Sequence, residues 1–184
     1  MVRDPVARNM SAFFENLEHK TNLALFTPTT DLIDKFFKSY PHGIPEQWFD
    51  EELKQVFGFD VFSLSFDHVS KSLRSDFGGY RFLVLRTEES NSEKEALLRE
   101  FLNTPDLSLG FFNVGGRKQY ADVYKEFRSA IKKDARFRDY VNEIYRSRYA
   151  RHFYTDVELT EFKRQWLGPI DLDAAVSDLT VAQA

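Results

Sequence analysis

Val6, Met10, Phe13, Phe14 and Leu17 recur at three- and four-residue spacing, which predicts a helix over 6–20 with one apolar stripe, opened by Pro5. Arg8, Asn9, Glu15 and Lys20 fall on its expected polar face. Leu32, Ile33, Phe36 and Phe37 predict a second, short helix that ends at the Pro41-His42-Gly43 turn and Pro45. A third, over 46–57, would turn Trp48, Phe49, Leu53, Val56 and Phe57 inward and stop at Gly58. Two strands are expected next. The segment 59–66 partly alternates, whereas Tyr80-Arg81-Phe82-Leu83-Val84-Leu85 is the short apolar run of a buried parallel strand, preceded by the turn Asp76-Phe77-Gly78-Gly79. Ser92-Glu93-Lys94-Glu95 and Thr155-Asp156-Val157-Glu158 read as capping boxes that open helices through Leu102 and Trp166. Between them lie two basic helices, 117–130 and 135–149. Strands separated by helices favour an α/β layer architecture with a helix-rich C-terminal half. One domain over 1–168 is expected, followed by an acidic, small-residue-rich and disordered tail over 169–184.

Composition sharpens this picture. Nineteen Phe and eight Tyr against two Met predict a core built from large rigid rings. Cysteine is absent, which excludes disulfides, zinc-thiolate sites and a cysteine nucleophile and fits a reducing compartment. No apolar run reaches membrane-span length and no signal-peptide pattern opens the chain, so a cytoplasmic protein is expected. The net charge of −4 is uneven: residues 117–151 carry eleven Lys/Arg against five Asp/Glu. That stretch is either an anion-facing surface or the solvated face of two helices.

The residues that can carry chemistry start at Arg3. An arginine where a strand gives way to a helix sits at the carboxyl edge of a sheet, and Ser11, two turns on, can aim its hydroxyl at the same anion. Such a fork of charged donors plus a hydroxyl suits a terminal phosphate. The plain alternative is an ordinary helix start with a surface ion pair. Arg117 and Lys118 follow Gly115-Gly116, so their backbone can approach a ligand closely, although a cationic turn capping the next helix is equally open. Arg86 and Glu88 are expected to tie loops together, and 152–154 to pack and cap. The four histidines, at 19, 42, 68 and 152, have no metal-ligand spacing, so no metal is expected.

Taken in order, the run Val2-Arg3-Asp4-Pro5 through Phe14, then Leu85-Arg86-Thr87-Glu88, Asn113-Val114-Gly115-Gly116-Arg117-Lys118-Gln119-Tyr120, and 149–158 with Trp166 resemble the sulfotransferase-like superfamily, in its bacterial branch named for capsular polysaccharide synthesis. The similarity spans roughly 2–167. It implies an α/β fold with a P-loop-like parallel sheet and, as sulfate donor, 3′-phosphoadenosine 5′-phosphosulfate. It implies a hydroxyl acceptor, plausible as a glycan, with Arg3, Ser11, Arg117 and Lys118 holding the nucleotide's 3′-phosphate. The loop that such proteins fold around the 5′-phosphosulfate, with its lysine, has no counterpart here. The sheet is therefore expected to be incomplete, the catalytic residues stay unassigned, and the chain is expected to be the C-terminal portion of a longer domain. Two rivals remain: a noncatalytic remnant or binding module completed by a second chain, and a nucleic-acid surface on 117–151, which the acidic remainder of the protein disfavours.

Overall fold

The computed structural model describes residues 1–21, 23–110 and 119–168. Arg117, Lys118 and the tail 169–184 lie outside them. The element order is α1 (Pro5–Thr21), α2 (Leu23–Phe26), α3 (Thr29–Ser39), α4 (Ile44–Trp48), a π-helical segment (Phe49–Lys54), α5 (Gln55–Phe57), a 3-10 turn (Val61–Ser63), β1 (Ser72–Phe77), β2 (Tyr80–Leu85), α6 (Asn91–Leu102), α7 (Ala121–Ile131), α8 (Ala135–Ile144), α9 (Arg148–Phe153) and α10 (Asp156–Leu167). Among the described residues no helix is long and apolar enough to cross a membrane.

The core is aromatic, as composition predicts. Phe13, Phe14, Phe36 and Phe127 meet mostly edge to face at 5.1–5.9 Å where α1, α3 and α7 pack together. A second group, Phe49, Phe62, Phe66 and Phe153, joins the π-helical segment to α9.

The mixed α/β class holds, but the expected parallel sheet is corrected. β2 pairs antiparallel with β1 in the register Leu73↔Val84, and the named strands form a two-stranded hairpin. Gly78 and Gly79 both have positive φ, +59° and +81°, which is the turn that joins adjacent antiparallel strands. Parallel pairing among the described residues is one bridge, Val2↔Arg86, in which the Val2 amide donates to the Leu85 carbonyl at 2.7 Å and the Thr87 amide to the Val2 carbonyl at 2.8 Å. Tyr80 is exposed and burial is reached only at Val84 and Leu85. Nor does 59–66 form a strand: Asp60 caps the 3-10 turn, and Phe59 instead stacks flat on Phe82 at 4.0 Å.

Candidate functional site

Pro5 enters α1 at the position where a missing N–H costs nothing and its fixed φ already suits the helix. The residue before it, Asp4, folds inward. Its carboxylate accepts from the Val6 amide at 3.1 Å, the Tyr145 hydroxyl at 2.8 Å and Trp166 Nε1 at 2.9 Å. Burial pushes the Asp4 carboxyl up, and these hydrogen bonds oppose it without cancelling it. The Asp4 amide donates to Glu88 at 2.5 Å, and Glu88 also receives the Tyr154 hydroxyl, so Glu88 takes the tying role its position suggested.

Arg3 is turned the other way. Its amide donates to the Tyr149 hydroxyl oxygen at 3.0 Å, and that hydroxyl donates to the Arg3 carbonyl at 2.9 Å, so one buried phenol anchors both main-chain groups. The guanidinium lies in solvent, where Nη1 donates to Ser11 Oγ at 3.1 Å. Arg3 has no carboxylate partner among the described residues. The structure thus brings Arg3 and Ser11 together beside the start of a 17-residue helix. The first-turn amides of α1 are spent on Asp4, so the groups that can jointly take the oxygens of a phosphate or sulfate are an unpaired planar cation and a hydroxyl.

Below this clamp a buried polar chain fixes α1 against its neighbours. Arg8 Nη1 donates to Tyr40 Oη at 3.0 Å and to Asn9 Oδ1 at 3.1 Å, while Asn9 Nδ2 donates to the His42 carbonyl at 3.1 Å and to Tyr140 Oη at 3.2 Å. Asn9 is fully buried, not on the polar face its type suggests. Its spacing carried the signal: three residues after Val6 and four before Phe13, it lies on the apolar stripe. Tyr149 had no comparable local mark.

Lys118 is followed two residues later by Tyr120, whose ring packs on Phe14 at 5.5 Å, three residues along α1 from Ser11. Within the described part of the basic stretch, many of the cations are spent on nearby groups. Arg128 and Lys132 lie over the Trp166 ring, Arg136 pairs with Asp34 and Asp134, and Arg148 pairs with Glu46 and Asp50. These four side chains hold helices together, whereas Lys125, Lys133, Arg138, Arg146 and Arg151 are exposed. No group of three His, Asp or Glu side chains with metal-binding geometry occurs among the described residues.

A family model, NKWYS, described as "putative capsular polysaccharide synthesis protein", matches residues 8–155. The chain belongs to the NKWYS family. The match contains Ser11 and the basic loop, and Arg3 stands five residues before it. No curated protein and no solved structure matches the chain. The family name suggests a role in capsular polysaccharide synthesis, and in this NKWYS chain the clamp at the head of α1 is an exposed cation that a hydroxyl holds in place.

Proposed function

We propose that this protein grips the 3′-phosphate of 3′-phosphoadenosine 5′-phosphosulfate and serves sulfuryl transfer to a hydroxyl acceptor, a glycan in capsular polysaccharide synthesis. The observation that carries the reading is the Arg3–Ser11 contact at 3.1 Å, with the guanidinium free of any described carboxylate. Ser11 orients the cation, Tyr149 fixes its backbone, and Asp4 keeps its own carboxylate turned away from the anion. Arg117 and Lys118 are assigned to the same phosphate by the sequence resemblance alone. The bound donor would supply an activated sulfuryl group, whose bond to the leaving phosphate oxygen breaks as the acceptor oxygen bonds to sulfur. The residues assigned here bind and orient, and none is assigned to take the acceptor's proton.

Calorimetry tests the reading directly. Adenosine 3′,5′-bisphosphate should bind more tightly than AMP, and Arg3→Ala should weaken it by about 1.5–3 kcal/mol, the scale of a hydrogen bond to a charged group. Equal binding of the two nucleotides, or an unchanged affinity in R3A, overturns it. A second reading, a noncatalytic binding module completed by another polypeptide, draws on the single parallel bridge at Val2, whose strand edge a further strand would extend. Tight bisphosphate binding without sulfuryl transfer would select it.

A further inference from the structure

A cleft of about 280 Å³ opens between the start of α1, the turn that leads into α4, and the junction of α8 with α9. That is close to the lower end of the range for small-molecule sites, roughly 300 Å³, and suits one ring, not a chain of them. Its walls are mostly carbon, supplied by Pro45, Tyr140, Tyr149 and the His42 ring, which packs on Phe36 and Tyr140 at 4.7 Å. No lysine or arginine lines it.

The polar atoms at the cleft are chiefly acceptors. Glu143 has no side-chain partner among the described residues. Glu46 is only loosely engaged, with Arg148 Nε at 3.3 Å and the Tyr149 amide at 3.3 Å. His42 donates through Nε2 to the Phe36 carbonyl at 2.8 Å, so its ring offers the cleft no free N–H. The Tyr149 and Ser147 hydroxyls spend their protons on the Arg3 and Ile144 carbonyls. A carboxylate that lacks a donor calls for a ligand rich in O–H or N–H groups, and Glu143, with no cation paired to it among the described residues, repels an anion. Aromatic and proline carbon suits the apolar face of a compact ring.

We propose that this cleft binds a single pyranose ring that bears no acid group, neutral or amine-substituted, with Glu143 accepting its hydroxyl or ammonium protons. Tyr149 both anchors the Arg3 backbone and forms part of the cleft wall, so the ring lies next to the nucleotide clamp. Its role as the sulfuryl acceptor rests on the function proposed above, whereas its binding does not.

Saturation-transfer and chemical-shift NMR on the full chain would use glucosamine, N-acetylglucosamine and glucuronate as probes, with wild type, Glu143→Gln and Arg3→Ala compared. The expected result is binding of the first two sugars, shifts centred on Tyr140, Glu143 and Tyr149, and about tenfold weaker binding in E143Q. Glucuronate should bind at least about tenfold more weakly than glucosamine. Absence of binding by both non-acidic sugars, equal binding of glucuronate, or an unchanged affinity in E143Q overturns the proposal. Bisphosphate titrated into the same samples separates the two readings, because E143Q should leave nucleotide affinity intact and R3A should leave sugar affinity intact. Sugar binding without nucleotide binding would remove the clamp and keep the cleft.

Discussion

Asp4 shows how one side chain can decide whether an anion site is possible. A carboxylate one residue from Arg3 would cancel its charge if it faced outward, yet the Tyr145 hydroxyl and Trp166 Nε1 draw it into the interior. Asn at this position would offer a single oxygen where two donors now converge. Asp4→Asn should therefore leave one buried donor unpaired and cost about 1–3 kcal/mol in urea unfolding. A D4N protein of wild-type stability would show that these donors find other partners. The partners of Asp4 lie 141 and 162 residues away in sequence, so nothing local in Asp4-Pro5 announces them. Arg3 and Ser11, by contrast, lie eight residues apart across one helix start, and their contact could be read from the chain. The same distinction separates Asn9, whose place on the stripe was visible, from His42 and Tyr149, whose neighbours are assembled only by the fold.

At the scale of elements, boundaries set by a local signal were legible and those set by phase were not. The Thr155 capping box appears where the pattern put it, with Thr155 and Glu158 bonded reciprocally. The helix α6 starts two residues earlier than Ser92 suggests, because Ser90 supplies the cap and Glu93 closes the box. Ser90→Ala should cost about 0.5–2 kcal/mol, while Ser92→Ala, inside the first turn, should stay within about 0.5 kcal/mol. Urea midpoints of the two variants decide it, and the reverse order would return the cap to Ser92. The π-helical segment Phe49–Lys54 explains a different miss. A wider turn shifts the phase of the helix, so Phe49 is buried while Trp48, Val56 and Phe57 face outward despite an apolar pattern that predicted all four inside. The basic helix expected over 135–149 breaks for a local reason: Ser147 donates to the Ile144 carbonyl at 2.6 Å, closing α8, and accepts the Ala150 amide, opening α9. The strand at 80–85 was found in the right place with the wrong partner, since an apolar run cannot distinguish a buried parallel strand from a hairpin half-covered by rings.

Arg86 joins distant parts of the molecule, where the end of β2 meets the two C-terminal helices beside the Val2 bridge. The buried guanidinium donates to Glu89, to the Phe153 carbonyl at 3.2 Å and to Glu158 at 2.5 Å, and lies over the Tyr154 ring. Burial opposes ionisation of Glu158, but the Arg86 guanidinium together with the Thr155 amide and hydroxyl overcomes it and holds the carboxyl down at about 2, from an ordinary 4.5. A lowered value in the folded state means that this stabilisation is fully present above about pH 4.5. As the pH falls from there towards 2, the unfolded chain takes up the proton before the folded one does, and the contribution is lost. Glu158→Gln removes the titrating group and keeps an oxygen for the cap. Wild type should therefore exceed E158Q in urea midpoint at neutral pH, and the gap should narrow between pH 4.5 and 2. A gap that stays constant across that range would mean that Glu158 acts at this junction through shape and capping alone. In that case the charge on Arg86 would be balanced by Glu89, which pairs with it at 3.1 Å.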